Sequence, residues 1–390
     1  MKITVNQAAL KAALATCKPA VAGRSPLPVL HNVLLRTEGD SAGHRLVIQA
    51  TDLEIGITRR IGAHIEEPGA VTIPAKLLSD VVGGLPGGEV VLTLNTKTQT
   101  LGIACGRFNS NIQGIEAEEF PTIPAVEDLA PTITIPPVVL RQAIDQVAFA
   151  ATNNESRPVL TGVLLRLQGT TVNMVAADGF RLAVRTIQLP EAPDASSAPN
   201  EFIVPARTLS ELSRIIGDAE ESVAITITPD GNHVLFRVQH TELFSRLIDG
   251  QFPDFARIIP QHCLTRTVME TQELTKAVKL ASFFTLHGHG VVKLTIRPDG
   301  ELGPGKLVIS ANTAEVGDNT GDVDATVQGD GGRVALNVRY LADALNAIKT
   351  PQVVLETQTH DKPGVLRPIG QEDEYTHVIM PMTIPGEGGK

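Results

Sequence analysis

The sequence predicts an α+β protein of three similar domains in tandem, each with two helices packed on antiparallel sheets. Three observations carry that reading. First, one helical block is written three times: Ile73-Pro74-Ala75-Lys76-Leu77-Leu78-Ser79-Asp80-Val81-Val82, then Val204-Pro205-Ala206-Arg207-Thr208-Leu209-Ser210-Glu211-Leu212, then Leu336-Asn337-Val338-Arg339-Tyr340-Leu341-Ala342-Asp343-Ala344-Leu345, at spacings of 131 and 132 residues. Second, the helical spacing Leu10, Leu14, Cys17 returns at Leu140, Ile144, Val147 and at Leu274, Val278, Ala281, offset by 130 and 134 residues. Third, Val29-Leu30-His31-Asn32-Val33-Leu34-Leu35 matches Val159-Leu160-Thr161-Gly162-Val163-Leu164-Leu165, again 130 residues on, with a looser echo over 291–296. A repeat of this length is too long for a solenoid unit, so each copy is expected to hold its own core.

Taken in order, Ile3-Thr4-Val5 reads as a strand leading into a helix over 6–18. Strand pairs follow, split by Ala50-Thr51-Asp52, and later by Ala176-Ala177-Asp178-Gly179 and Ala311-Asn312. The central helices are expected over 74–84, 205–216 and 337–349, two of them with Pro at the first helical position, where its missing N–H has no partner to lose. In the middle copy Leu209, Leu212 and Ile216 share one face, and Arg207 and Arg214 point away from it. Strands return at 90–94, 223–227 and 353–355, with Pro229-Asp230-Gly231-Asn232 as a hairpin turn. Phe120-Pro121 and Phe252-Pro253 close the first two units alike. Each unit therefore reads β-α-β-β-β-α-β-β-β, with domains over 1–130, 131–261 and 262–390. The stretches 190–200 and 315–330 read as surface loops and 385–390 as a loose tail.

Charge is distributed unevenly. The whole chain carries −10, yet the six expected helices (the first over 6–18, the outer pair-mates over 137–151 and 270–282) together hold +4, leaving −14 for strands and loops. Lys76, Arg207 and Arg339 occupy the same register in the first turn of the central helices. A cation there faces the positive end of the helix dipole at a cost of roughly 0.3–1 kcal/mol. One such residue reads as a solvated surface cation, but three in register argue for an anionic partner outside the helix. A polyanion held this way is gripped weakly and without sequence reading. With no Trp and 2 Tyr, the chain is poorly equipped to stack on single strands.

Other chemistry is sparse. Cys17, Cys105 and Cys263 stand far apart and read as reduced, half-buried small hydrophobes, which fits a cytoplasmic protein. No apolar run approaches a membrane span, and no signal peptide precedes the first helix. His287-Gly288-His289 lacks a third metal ligand, 318–324 lacks the order of a calcium loop, and 83–88 lacks the Gly-Lys-Ser/Thr of a phosphate loop. No metal, cofactor or nucleophile constellation is expected. The residues themselves leave open a three-domain scaffold that uses its pockets for proteins without encircling a polyanion, and a hydrolase whose dispersed acidic residues converge only in the fold.

Several segments then carry a resemblance. Met1-Lys2-Ile3-Thr4-Val5, Gly23-Arg24-Ser25-Pro26-Leu27-Pro28-Val29-Leu30, Ala176-Ala177-Asp178-Gly179-Phe180-Arg181-Leu182-Ala183, Asp249-Gly250-Gln251-Phe252-Pro253-Asp254-Phe255 and Tyr375-Thr376-His377-Val378-Ile379-Met380-Pro381-Met382 occur in the order of the bacterial DNA polymerase III beta subunits, the sliding clamps, which the chain resembles from Met1 to Met382. The resemblance implies a head-to-tail homodimer closing as a ring of six domains around duplex DNA, with helices lining the hole. It also implies a processivity factor without catalytic activity that tethers the replicative polymerase and is opened by an ATP-driven clamp loader. Arg24, Asn154, Arg157 and Arg207 match positions that touch DNA in the family, and Lys76 and Arg339 join them by register. The family's partner-peptide pocket maps to Leu160, Ala177, Gly179, Phe180, Arg181, Leu182, Pro253, Ile258, Val378 and Met380, ready for a short Gln-x-x-Leu/Met-type segment of polymerase or loader. The family's dimer seam maps to Phe108 opposite Phe283 and Phe284 of the other subunit. The chain departs from the family at Pro158-Val159, where paired Tyr can stand, at Phe180, often His, and in the eight residues after Met382.

Overall fold

Strand β1 (Lys2–Asn6) ends on Asn6, whose side-chain oxygen accepts from the N–H groups of Ala8 and Ala9 and so starts helix α1 (Gln7–Cys17). The computed structural model describes residues 1–40, 43–123, 129–192, 199–285, 290–298, 305–313 and 317–383. His287 and His289, the tail from 384 onward, and parts of the stretches 125–131, 190–200 and 315–330 lie outside the described residues.

The first repeat continues with β2 (Asn32–Asp40), β3 (Gly43–Thr51), β4 (Ile55–Gly62), β5 (His64–Glu67) and β6 (Ala70–Pro74). Helix α2 (Ala75–Gly84) follows, then β7 (Glu89–Asn95), β8 (Thr100–Cys105) and β9 (Phe108–Gln113). The middle repeat runs β10 (Ile133–Ile135), α3 (Pro137–Val147), β11 (Gly162–Gln168), β12 (Thr171–Ala177), β13 (Arg181–Gln188), β14 (Glu201–Pro205) and α4 (Ala206–Ile216). It ends on β15 (Val223–Ile227), β16 (His233–Val238) and β17 (Thr241–Arg246). The last repeat runs β18 (Thr265–Glu270), α5 (Thr271–Phe283), β19 (Val291–Arg297), β20 (Lys306–Thr313), β21 (Gly317–Gln328), β22 (Gly332–Asn337) and α6 (Val338–Ala347). It closes with β23 (Gln352–Thr357), β24 (Gly364–Pro368) and β25 (Tyr375–Ile379).

Five expectations are corrected here, the first being that the stretch 315–330, expected as a surface loop, is mostly strand β21 (Gly317–Gln328). Between its two helices each repeat has a further strand, β6, β14 or β22, and the first repeat also has β5. These strands run into the helix with no turn residue between, so runs such as Val71-Thr72-Ile73 merge with the helical block in sequence. Pro74 and Pro205 accordingly end strands rather than open helices: Pro74 is the N-cap, with an extended ψ of 113°. Helix α3 stops at Val147 and continues only as a 3-10 turn over Ala148–Ala150. The cysteines also differ, because Cys17 and Cys105 are buried and Cys263 is exposed.

Close packing divides the chain into two units. One contains Met1–Leu140 and Thr208–Leu247, with a five-stranded sheet β5-β1-β7-β8-β9 and an eight-stranded sheet β10-β15-β16-β17-β4-β3-β2-β6. Within it α1 packs on α2, β3 and β4, burying Leu10, Leu14 and Cys17. Each such leucine contributes about 1.5–3 kcal/mol, and burial pushes the Cys17 thiol up to about 12. The other unit contains Arg141–Ala192, Asn200–Arg207 and Ile248–Lys390, with a twelve-stranded sheet β14-β11-β12-β13-β25-β24-β23-β18-β21-β20-β19-β22. There α5 packs on α6, burying Leu274, Val278, Ala281, Leu341 and Leu345.

Both large sheets run through a boundary between repeats. Strand β17, which closes the middle repeat, pairs antiparallel with β4 of the first. Strand β25, which closes the last repeat, pairs in the same way with β13 of the middle one.

Candidate functional site

The three register-matched cations each occupy the second residue of a helix: Lys76 in α2, Arg207 in α4 and Arg339 in α6. All three are exposed. At α6 the cap is explicit, with Asn337 Oδ1 accepting from the Arg339 and Tyr340 N–H groups at 2.9 and 3.3 Å. Arg24 is exposed in the loop before β2, and Asn154 and Arg157 are exposed in a turn where Arg157 N–H donates to the Asn154 carbonyl at 3.1 Å. Phe108 opens β9 and Phe283 ends α5, both exposed, while Phe284 caps α5 half-buried.

Of the ten expected pocket residues, the structure brings Leu160, Ala177, Leu182 and Val378 into one apolar cluster at the β13–β25 ladder. Strand alternation puts Leu182 and Val378, directly paired, on the same side. They floor a buried apolar cluster with Ala177, Leu164, Phe252, Phe255 and Val365, and Leu160 packs against it half-buried. The β12–β13 turn supplies the rim. Gly179 takes a φ of +94°, which a residue with Cβ seldom adopts, and Asp178 Oδ1 accepts from the N–H groups of Phe180 and Arg181. This turn holds Phe180 out, 63% exposed, while its carbonyl accepts from Met380 N–H at 2.8 Å and so anchors the end of β25. Met380 (39% exposed) and Ile258 (38%) are likewise exposed, and Pro253 is exposed beside buried Phe252. Leu182 and Val378 are each 1% exposed, so the side chains left to an apolar partner here are those of exposed Phe180, Ile258 and Met380.

Arg181 stands on the opposite face. It is buried, at 8% exposure, and its guanidinium donates to Asp178 Oδ2 (3.1 Å), Asp343 Oδ2 (2.7 Å) and the Phe149 carbonyl (2.7 Å). It also lies over the rings of Phe149 and Tyr340. Alternation along the strand is the reason: the neighbour of a Leu182 turned into the apolar cluster must face the helices. This node, which joins β13 to α6, carries no signal in the sequence, because Asp343 lies 162 residues from Arg181. The other cluster members, Leu164, Phe252, Phe255 and Val365, went unassigned in sequence, although the repeated Phe-Pro closings point at Phe252.

The three repeats match, in order, the N-terminal domain of the DNA polymerase III beta subunit over residues 1–124, its central domain over 134–254 and its C-terminal domain over 256–383. The chain belongs to the DNA polymerase III beta subunit family. A beta sliding clamp of Staphylococcus aureus is 32% identical over 374 residues, covering 93% of this chain and 94% of the relative. One from Synechococcus elongatus is 30% identical over 385 residues, covering 98% and 100%. Among solved structures, the DNA polymerase sliding clamp of Bacillus subtilis superposes with a TM-score of 0.89 at 28% identity, covering 98% of this chain and 99% of that one. The repeat order, the two-helix repeats and the long mixed-repeat sheets are thus those of a DNA polymerase III beta subunit. Among the described residues no helix is long and apolar enough to cross a membrane.

Proposed function

We propose that the chain is a DNA sliding clamp, closing as a head-to-tail homodimer around duplex DNA and tethering the replicative polymerase. The observation that carries this is a pair of unfilled edges. In β4–β17 and β13–β25, the third closing strand of one repeat pairs with the third strand after the first helix of the preceding repeat. The same rule leaves β9 of the first repeat, which pairs with β8, and the segment 317–324 of β21, which pairs with β20, each with one open edge among the described residues. Joining β9 of one copy to β21 of the next satisfies both edges by a heterologous contact, and a closed assembly then has no exposed edge at these positions. Exposed Phe108 lies in β9 and exposed Phe283 ends α5, the helix packed on β21, and the two would add an apolar contact to such a seam.

On this reading Lys76, Arg207, Arg339, Arg24, Asn154 and Arg157 face the phosphates without reading sequence. The exposed apolar side chains at the β13–β25 ladder take short apolar peptide motifs of polymerase and clamp loader. The chain acts in the cytoplasm and does no chemistry of its own. Retention then comes from topology, since a few phosphate contacts release readily in salt. Loaded protein is expected to stay on nicked circular plasmid at moderate salt and to slide off once the plasmid is linearised. Equal loss from both forms, measured by gel filtration of labelled protein, rules out encirclement.

A further inference from the structure

We propose that the residues following Met382 add a short strand to the open edge of β22, with Ile384 seated beside Arg333. Strand β22 ends the twelve-stranded sheet, and among the described strands it pairs only with β19. Its outer edge is already touched at one point, where Met382 N–H donates to the Ala335 carbonyl at 2.8 Å. Successive residues of an antiparallel strand send their main-chain groups to opposite sides. Ala335 and Arg333 therefore face the open edge, while Val334 and Leu336 face β19. The N–H and carbonyl of Arg333 and the N–H of Ala335 have no hydrogen-bond partner across that edge among the described residues.

The other two repeats show what such an edge takes. Thr72, Ile203 and Ala335 share one register, each two residues before the end of its strand. Thr72 exchanges two hydrogen bonds with Ile115, at 2.9 and 3.0 Å, as an antiparallel pair, and the Ile203 carbonyl accepts from Ile248 N–H at 2.9 Å. In each case the visitor is the segment that closes the repeat. In the first repeat that segment stays against the strand beyond the pair, and Ala117 and Ala70 pack against one apolar cluster as antiparallel register requires. The same register, carried on from Met382 and Ala335, puts Ile384 opposite Arg333.

Space and residue type agree. A cavity of about 760 Å³ is lined by Arg333 and Ala335 of β22, by Thr359 and His360 between β23 and β24, and by Met382 and Thr383. The chain is thus delivered into it at Thr383. Ile384 brings the N–H and carbonyl that Arg333 lacks, and its branched side chain suits a strand. Pro385 falls where an N–H would point away from β22, so a proline loses no bond there. On the new edge it also denies a further strand one donor. Ile-Pro therefore reads as one pairing residue followed by a stop. An extended segment of another protein is the competing occupant, but Met382 already tethers this chain's own residues at the site, which gives them a high effective concentration.

Two measurements on the full-length protein test this. The first is hydrogen exchange, resolved to single residues by mass spectrometry with electron-transfer fragmentation. We expect the Arg333 amide to exchange about tenfold faster in a variant ending at Thr383, and faster likewise in Ile384→Pro, which removes the donor but keeps an apolar side chain. The Leu336 amide, turned to β19, should keep its rate in all three proteins. The second is disulfide trapping in a Cys263→Ser background, which removes the exposed native thiol. Opposed Cα atoms of a hydrogen-bonded pair lie about 5.5 Å apart, within disulfide reach. Arg333→Cys with Ile384→Cys should therefore close about tenfold faster under mild oxidation than Arg333→Cys with Glu387→Cys. Equal Arg333 exchange with and without residues 384–390, or equal closure of the two cysteine pairs, overturns the proposal. Protection of Arg333 in the shortened chain that rises with protein concentration assigns the edge to a second copy and overturns it as well.

Discussion

The ladders β4–β17 and β13–β25 share a backbone plan but present opposite chemistry to the helices. On the helix side the first offers Ile55, Ile57, Leu243 and Ser245, all buried, with the Ser245 and Thr208 hydroxyls 2.8 Å apart and Ser245 Oγ donating to the Arg246 carbonyl at 3.1 Å. The second offers Arg181, Arg185, Tyr375 and His377, equally buried. Arg181 is fully engaged and Arg185 reaches Glu374 at 2.7 Å, but the Tyr375 hydroxyl, both His377 ring nitrogens and two Arg185 nitrogens find no hydrogen-bond partner among the described residues. An apolar face needs only shape to be stable, whereas a polar one must be matched atom by atom. The first ladder should therefore tolerate small changes, and the second should answer sharply to changes in partner or charge.

The largest expected break comes at Arg181. Arg181→Met leaves Asp343 and Asp178 without their cation, and loss of one partner from a buried pair typically costs about 3–5 kcal/mol. Asp343 is about a third exposed, so the lower end of that range is expected from urea unfolding followed by circular dichroism. A neutral result means that packing on Phe149 and Tyr340, not charge, holds the junction.

A smaller effect separates the ladders by pH. Burial, with a further push from Arg181, brings His377 down to about 3, whereas an unfolded histidine titrates near 6.5. In this window the unfolded chain binds a proton that the folded chain refuses, so stability falls as pH drops through about 6.5 towards 3. The loss between about pH 7 and pH 5 is roughly 2 kcal/mol. Arg181 bears on it electrostatically and Tyr375 lies beside its ring, and of these three only the histidine changes charge near pH 6. His377→Phe, which keeps the stack on Phe149, should flatten that part of the thermal-midpoint profile. An unchanged slope moves the pH dependence elsewhere in the chain.

The mildest change belongs to the first ladder. Ser245→Ala strips Thr208 of its partner in an otherwise apolar setting and should cost about 1 kcal/mol, with no pH dependence between 7 and 5. A loss approaching that of Arg181→Met would erase the contrast between the two faces.

The sequence by itself determined much of this protein. Repeats of about 130 residues placed six helices within a few residues of where they occur, and Leu209, Leu212 and Ile216 are buried as their spacing requires. Those signals are local, because helical periodicity repeats every few residues and a turn such as Asp178-Gly179 announces itself by residue type. The pairing of β17 with β4 and of β25 with β13 was decided only in three dimensions. An antiparallel ladder between strands some 180 to 200 residues apart leaves no local pattern, and its register depends on which faces are buried. Nor could the sequence show that Arg181 turns to Asp343 while its neighbour Leu182 packs into an apolar cluster with Val378, Phe252 and Phe255. Each depends on what lies across from the residue, and tertiary packing alone chooses that neighbour.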